Sequence, residues 1–427
     1  MNFDTIEYKK YNEMYYRYEH SSGLNCIVIP KKGYYRKYAT FSTHYGSIDN
    51  EFVIPGEEEA RKVPDGIAHF LEHKLFEQKD GSVMDKFSDL GAKANAFTSF
   101  NKTVYLFSCT ELFKENFELL LNFVQNPYIT EESVEREKKI IGQEINMYRD
   151  DPGWRVNFNL LKALYKKHPV RNDIAGTIDS ISEITRDMLY KCFETFYHPS
   201  NMVVTVVGDV DHNEIFEQVD KNLKTSTRSS EIKRIFPKER KEVNKSYVEQ
   251  NMPVSTPLFF IGFKDINFEK KGIEILKYEL AVKLLLSMIA GRSSRLYEEL
   301  YDKGLVNSTF EMDFSCENSY AYSMMGGESV NPEEVRESIA REIERFRKEG
   351  LSAEAFDRLL KASKGRFLRQ LNSPETIARS FINLYFKGVT MFDYLEVYDT
   401  MNFDYIKDVF DSHFDIKRMA LSVVKQK

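Results

Sequence analysis

The stretch from His69 to His73 places two imidazoles and one carboxylate close together in the sequence. Residues at positions i, i+3 and i+4 lie on one face of a helix, so His69, Glu72 and His73 would point the same way. Two imidazoles one turn apart can bind a zinc ion, and a carboxylate beside them can take a proton from water. The order His-x-x-Glu-His is the inverted form of the commoner zincin motif and predicts hydrolytic chemistry.

The residues around this motif predict a buried helix, because they are apolar nearly all round. Asp65 is the predicted N-cap of this helix and Gly81 its predicted end. An alternative is a pair of core histidines that are satisfied by hydrogen bonds alone. Buried charge without a partner costs several kcal/mol, so two histidines and a glutamate on one buried face favour a bound cation.

A third metal ligand is predicted on a second helix, which begins near Thr130 and continues to Arg149. Glu137 and Glu144 fall on the apolar stripe of this helix, together with Ile141, because these positions step by four and three. Two acids on a buried face need a cation nearby. We expect Glu144 to bind the metal. Glu137 would contact the ligating side chains without binding the metal itself. A salt bridge from Glu137 to a neighbouring Lys or Arg is the alternative.

The pattern resembles the pitrilysin/insulinase zinc peptidases, which are called inverzincins. In that family a glutamate ligand follows the His-x-x-Glu-His motif on a second helix, with another glutamate seven residues before it, as Glu144 and Glu137 do here. Three further segments also match the family: Asn95–Thr98, Thr103–Tyr105 and Tyr197–Met202. The resemblance extends over both halves of the chain and is strongest from about residue 20 to 225. It indicates a bacterial branch that is related to the subunits of mitochondrial processing peptidase.

The resemblance implies a zinc metalloendopeptidase with one zinc ion per chain, bound by His69, His73 and Glu144. Glu72 would be the general base, and Glu137 would orient the metal ligands or balance their charge. Peptides or unfolded segments would bind along the strand of Asn95, Ala96 and Phe97 as an added β-strand. Without the resemblance, these three residues could equally form an ordinary edge strand.

The family also uses an Arg and a Tyr seven residues later, which come from the second half of a chain or from a partner. In this sequence Tyr301 stands where the Arg would be, and Asn307 or Ser308 where the Tyr would be. We therefore expect a sister subunit that supplies the pair, so that the working enzyme is a heterodimer. The alternatives are a non-catalytic scaffold and a subunit that binds peptides without cutting them.

The order of predicted elements indicates an α+β protein with two homologous αβ domains. Each half has strands followed by runs of helices, which predicts an antiparallel-rich mixed sheet with helices packed on one face. The 427 residues suffice for two cores. We expect a zinc-binding domain at 1–225, a polar linker at 226–249 and a second domain without the metal motif at 250–427. The family resemblance implies that the two face each other as a clamshell.

Composition excludes several other classes of protein. The net charge of −6 gives no indication of nucleic-acid binding. The sequence has no run of 18 apolar residues that would span a membrane and no secretory signal at its beginning. Four scattered cysteines without a CxxC pair indicate reduced core thiols, and so a cytoplasmic protein: Cys26, Cys109, Cys192 and Cys316.

Overall fold

The computed structural model describes residues 2–224 and 231–427. They form two compact units. The first unit contains Met1–Ile145, Asp173–Ile235 and Gln370–Phe386. The second contains Asn146–Asn172, Phe236–Arg369 and Lys387–Lys427.

The strands of the described residues are β1 (Asp4–Tyr8), β2 (Glu13–Glu19), β3 (Asn25–Pro30), β4 (Lys37–Thr43), β5 (Glu51–Val53), β6 (Ala60–Lys62), β7 (Glu77–Gln78), β8 (Gly81–Ser82), β9 (Lys93–Thr98), β10 (Thr103–Cys109), β11 (Met202–Gly208), β12 (Lys233–Arg234), β13 (Tyr247–Asn251), β14 (Leu258–Asp265), β15 (Glu311–Cys316), β16 (Ala321–Glu328) and β17 (Met419–Lys425).

The α-helices are α1 (Ile67–Leu75), α2 (Val83–Asp89), α3 (Phe113–Gln125), α4 (Glu131–Asp150), α5 (Pro152–Leu164), α6 (Ile178–Ser182), α7 (Arg186–Phe196), α8 (His212–Asn222), α9 (Ile273–Ala290), α10 (Arg295–Asp302), α11 (Pro332–Glu349), α12 (Ala353–Gln370), α13 (Pro374–Tyr385), α14 (Asp393–Thr400) and α15 (Phe403–His413). Short 3₁₀ helices lie at Lys9–Tyr11, Pro169–Arg171, Pro199–Asn201 and Ile416–Arg418.

The first unit is built on a seven-stranded mixed sheet in the order β1-β2-β3-β11-β4-β10-β9. All neighbours are antiparallel except β3 and β11, which run parallel. The central strand β11 is a run of valines that is buried along its whole length, as expected for a strand covered on both faces. The strand β9 is the last in this order, so the sheet ends at the segment predicted to bind peptides.

The second unit repeats the central part of this topology in five strands, in the order β13-β17-β14-β16-β15. Its last strand in sequence, β17, runs parallel to β13 and antiparallel to β14, as β11 does between β3 and β4. The structure thus confirms the predicted α+β class with two similar mixed sheets. The strands β1 and β2 extend only the first sheet, and the sequence analysis did not predict them.

Two helices belong to the unit of the other sequence half. The helix α5 packs on β14 and β17 of the second unit, while α13 packs on β4 and β11 of the first. The predicted domains of 1–225 and 250–427 place α5 in the first domain and α13 in the second. These domain limits stay a prediction. Residues 226–230 of the predicted linker lie outside the described residues, and its end forms β13 in the second sheet.

Two helix ends differ from the prediction. The motif helix α1 ends at Leu75 rather than near Gly81, because the short strands β7 and β8 pair in between. The sequence from about Ile273 to Leu300 is typical of one long helical stretch, but it is divided into α9 and α10. The second of these begins where the Ser294 hydroxyl accepts a hydrogen bond from the Tyr297 amide at 3.1 Å. Among the described residues, no helix is both long and apolar enough to cross a membrane.

Candidate metal centre

The start of α1 is fixed by a close backbone contact. Gly66 has a φ of 90°, and a Cβ atom there would lie 2.4 Å from the carbonyl oxygen of Ala175. Only glycine tolerates both the left-handed conformation and this approach. The predicted N-cap was wrong, because Gly66 occupies that position and the Asp65 carboxylate accepts a hydrogen bond from Asn50 instead.

The predicted ligands on α1 and α4 come together in space. His69 Nε2 lies 3.6 Å from Glu144 Oε1, and His73 Nε2 lies 3.5 Å from Glu144 Oε2. One ligand atom from each of the three residues can be chosen so that all lie within 4.8 Å of one another. Two ligand atoms that are each about 2.0–2.1 Å from a tetrahedral zinc ion are separated by roughly 3.4 Å. Zinc therefore fits these donors.

The helix α4 presents Glu144 because its first turn and its apolar side are both anchored. Thr130 and Ser133 exchange side-chain and backbone hydrogen bonds at 3.1 and 3.0 Å, as in a capping box. Ile141 and Ile145 are buried next to Glu144 in sequence and hold this side of the helix against the core. The Glu144 side chain stays 21% exposed, so a metal ion bound there would be reached from solvent.

Glu137 lies directly behind the second histidine. Its Oε1 atom is 3.0 Å from His73 Nδ1, and the residue is only 8% exposed. A carboxylate that accepts a hydrogen bond from Nδ1 leaves Nε2 free to bind a metal. The other oxygen of Glu137 is 4.0 Å from Lys74 Nζ, so Glu137 also forms the kind of salt bridge that was the alternative prediction. By contrast, the buried His69 Nδ1 has no hydrogen-bond partner among the described residues.

Glu72 is held by a threonine on the edge strand. Thr98 donates a hydrogen bond to Glu72 Oε2 at 2.6 Å, while Thr103 on β10 lies 3.3 Å from Thr98 and donates to the Tyr45 carbonyl. Burial raises the pKa of Glu72 to about 7, although the Thr98 hydrogen bond acts in the opposite direction. A carboxyl group with this pKa can exchange a proton near neutral pH. The sequence analysis used Thr98 and Thr103 only as markers of resemblance and missed this contact.

The two histidines differ in electrostatic environment. Burial lowers the pKa of His69 to about 3, and the neighbouring His73 acts in the same direction. Burial also acts to lower the pKa of His73, but the hydrogen bond that its Nδ1 donates to Glu137 and the charges of Glu72 and Glu144 raise it overall. A neutral His69 is the form that binds a metal.

The residues predicted to bind peptides lie on β9, at the end of the first sheet. Asn95 is exposed and accepts a hydrogen bond from the Ala96 amide with its own side chain. Phe97 is partly exposed, and the guanidinium of Arg379 on α13 lies 5.3 Å from the centre of its ring. No sequence pattern predicted this contact, because Arg379 is far along the chain and its helix carries no motif. Because β9 pairs with only β10 in this sheet, its outer edge is where an added strand would pair.

The structure does not provide an Arg and Tyr pair at the positions where the family has one. Tyr301 is 54% exposed on α10, and the Asn307 amide donates a hydrogen bond to Glu328 at 2.8 Å. The nearby Arg295 is ion-paired with Glu342 at 3.1 Å. All of these contacts join residues of the second unit to one another.

Comparisons with known proteins agree with this geometry. Residues 55–178 match the family model described as Insulinase (Peptidase family M16), and residues 183–363 match Peptidase M16 inactive domain. The chain is 46% identical over 424 residues to the uncharacterized zinc protease YmfH of Bacillus subtilis, and the match covers 99% of each chain. It is 29% identical over 161 residues to a probable mitochondrial-processing peptidase subunit beta of Arabidopsis thaliana, covering 36% of this chain and 30% of that protein.

A solved structure shows the same fold over the whole chain. It is a putative M16-like peptidase from Alicyclobacillus acidocaldarius, with a TM-score of 0.93 and 33% sequence identity. The match covers 100% of this chain and 99% of the other. The similarity therefore includes both units and not only the motif.

Proposed function

Because the chain belongs to the insulinase family of peptidases (peptidase family M16), we propose that it is a zinc metalloendopeptidase that uses Glu72 as its general base. The observation that supports this proposal most is the convergence of His69, His73 and Glu144, whose ligand atoms lie within 4.8 Å of one another. A buried glutamate with a pKa of about 7 on the same helical turn adds the proton-transfer group.

Zinc, when bound by the two histidines and Glu144, would act as a Lewis acid and make a water molecule more acidic. Glu72 would take the proton of the attacking water and give it to the leaving amine. Thr98 would hold the Glu72 carboxylate in place, since it donates to Oε2 at 2.6 Å. The edge strand β9, with Asn95, Ala96 and Phe97, would bind the peptide by main-chain hydrogen bonds, which read little of its sequence.

The proposal includes a partner. The Arg and Tyr that would donate to the substrate carbonyl are absent at Tyr301 and Asn307, so we propose a sister subunit that contributes them. The similarity to a protein named as a processing-peptidase subunit supports this idea. All four cysteines are buried and free, which suits the reducing cytoplasm.

A second candidate is peptide binding without cleavage. It is favoured by the match of residues 183–363 to a model described as an inactive domain and by the missing Arg and Tyr. In this case the zinc centre would organise a binding surface but would not turn over substrate.

The deciding experiment is cleavage of a quenched-fluorescent peptide library by the zinc-loaded protein, with and without a chelator. We expect cleavage that the chelator abolishes, and that Glu72→Gln reduces by about 10²–10⁴-fold while zinc content is unchanged. The matched control is Glu135→Gln, a carboxylate on α4 whose side chain is 69% exposed. Cleavage by Glu72→Gln at the wild-type rate would refute the mechanism. Binding of peptides with no cleavage, even with a sister subunit, would favour the second candidate.

A further inference from the structure

Lys74 directly follows the second histidine of the motif, and its side chain is 0% exposed. A buried ammonium group is costly unless acceptors surround it. Its Nζ atom contacts the Glu77 carboxylate, the Ser133 carbonyl oxygen at 3.5 Å and Glu137 Oε2 at 4.0 Å. This lysine is therefore a specific internal cation next to the metal centre.

Lys74 and His73 share one carboxylate between them. Glu137 Oε1 is 3.0 Å from His73 Nδ1, and Glu137 Oε2 is 4.0 Å from Lys74 Nζ. One oxygen of this carboxylate thus has a hydrogen bond and the other a longer ion pair, so Lys74 adds a second restraint on the rotation of the group. The orientation of Glu137 toward His73 depends on the lysine as well as on the histidine.

Lys74 also connects the two helices that carry the ligands. Its contacts on α4, Ser133 and Glu137, are four residues apart and so lie on one face of that helix. Glu144 is on the same helix, two turns further along. Beyond the lysine, Glu77 is ion-paired with Arg136 of α4. Charges of alternating sign therefore run from Arg136 at the surface to Glu137 behind His73.

We propose that Lys74 is a positioning residue of the metal centre, which holds the Glu137 carboxylate against His73 and α4 against α1. This inference rests on the proposed zinc site of His69, His73 and Glu144. Two effects of the lysine oppose each other. Its positive charge would repel a zinc ion, but two carboxylates, Glu77 and Glu137, already balance that charge. Its loss would remove the cation that faces Glu137 Oε2 at 4.0 Å and free this carboxylate to turn away from His73, so the restraint predominates and the lysine strengthens zinc binding.

The test is the zinc affinity of Lys74→Met, which has similar length and no charge, measured by competition with a chromogenic chelator. We expect affinity to fall about threefold to tenfold, at the lower end of what outer contacts contribute. The matched control is Lys264→Met, a lysine that is 2% exposed and ion-paired with Glu239 at 3.3 Å in the second unit. We expect this control to lower thermal stability without changing zinc affinity.

A double-mutant cycle with Glu137→Gln shows whether the lysine acts through that carboxylate. In the Glu137→Gln background, we expect Lys74→Met to change zinc affinity by less than about twofold, because the group that it positions is already altered. Lys74→Gln keeps a hydrogen-bond donor and should give an intermediate affinity. It also serves as the test variant if Lys74→Met does not fold, as judged by unfolding of the zinc-free proteins.

Each outcome has one interpretation. Weaker zinc binding that disappears in the Glu137→Gln background supports the positioning role. Unchanged or tighter binding by a folded variant overturns it, as does an equal loss in both backgrounds. If the wild-type protein binds no zinc, the proposed function and the role of Lys74 both fail. If it binds zinc and Lys74→Met matches it, only the role of Lys74 fails.

Discussion

The helices α1 and α9 occupy the same place in two similar topologies, and each buries one glutamate. In chain order, α1 lies between β4 and the end strand β9 of the first sheet. In the same way, α9 lies between β14 and the end strand β15 of the second sheet. Glu72 on α1 is 7% exposed and accepts a hydrogen bond from the neutral hydroxyl of Thr98. Glu279 on α9 is 8% exposed and is ion-paired with Lys283 at 2.6 Å and Lys387 at 3.9 Å.

The two glutamates have opposite pKa shifts. Burial raises the pKa of Glu72 to about 7, because the hydrogen bonds from Thr98 and the charge of His73 offset only part of the loss of solvent. Burial acts in the same direction on Glu279, but the charges of Lys283 and Lys387 outweigh it and hold its pKa below the ordinary value. Glu72 can therefore gain or lose a proton near pH 7, whereas Glu279 is ionised at that pH. The same position in a fold can therefore serve chemistry or stability, according to the few side chains that surround it.

The largest expected effect is the loss of the metal itself. Alanine at His69, His73 or Glu144 would remove one of the three proposed protein ligands, and we expect zinc content to fall from one ion per chain to near zero. Alanine at Glu279 is the counterpart in the second unit and should leave zinc content unchanged. Metal analysis of the purified, folded proteins decides the point. If Glu279→Ala lost zinc equally, the proposal that only the first unit binds the metal would be wrong.

The next largest effect concerns the groups that the second unit lacks. A sister subunit that provides the Arg and Tyr should raise turnover of this chain about 10²–10³-fold, which is what one donor to a developing oxyanion contributes. Mutation of the sister's Arg should return turnover to that of the isolated chain. The measurement is peptide cleavage per bound zinc in the chain alone, in the complex and in the mutant complex. Equal rates in all three would refute the heterodimer.

The two buried glutamates should respond in opposite ways to neutralisation. Between pH 4.5 and about 7, folded zinc-free protein keeps a proton on Glu72 that the unfolded chain releases, so stability falls as pH rises through this range. Glu72→Gln should therefore be more stable than wild type at pH 8, by up to about 3 kcal/mol, and no more stable below pH 4.5.

Glu279 has the opposite sign. Its pKa is lowered on folding, so its charge stabilises the protein above the ordinary pKa of a glutamate, and the benefit is lost as pH falls through the lowered value. Glu279→Gln should lower the free energy of unfolding at pH 8 by about 1–3 kcal/mol, since it leaves buried Lys387 with one carboxylate fewer. Urea unfolding at both pH values tests the pair. If both substitutions changed the free energy of unfolding at pH 8 in the same direction, burial alone would control the pKa of both glutamates.

In the first unit, the sequence predicted which side chains share a helix face better than it predicted how the helices pack. The spacing of His69, Glu72 and His73 and the two acids on the stripe of α4 are local patterns, and helical periodicity converts them directly into shared faces. Local patterns could not predict that α5 packs in the second unit and α13 in the first. Periodicity shows which face of a helix is buried, but it does not show which of two similar sheets buries it.

Smaller features were missed for different reasons. The break between α9 and α10 had a signal, because Ser294 is a good N-cap within an otherwise helical stretch. Lys74 also had one, since a lysine in an apolar helix must find buried acceptors. The partner of Thr98 had none, because its contact with Glu72 joins a strand to a helix that no local pattern connects.

A smaller effect than the loss of a metal ligand is expected from the carboxylate behind His73. Glu137→Gln keeps the shape of the side chain but removes its charge, so the hydrogen bond to His73 Nδ1, now 3.0 Å, would be weaker. We expect zinc affinity or turnover to fall about 10–100-fold without unfolding. The matched control is Glu135→Gln on the same helix, whose side chain is 69% exposed and contacts only Lys138 among the pairs described. Equal zinc content and turnover in the two variants would mean that Glu137 is a structural ion-pair partner of Lys74 and has no influence on the metal centre.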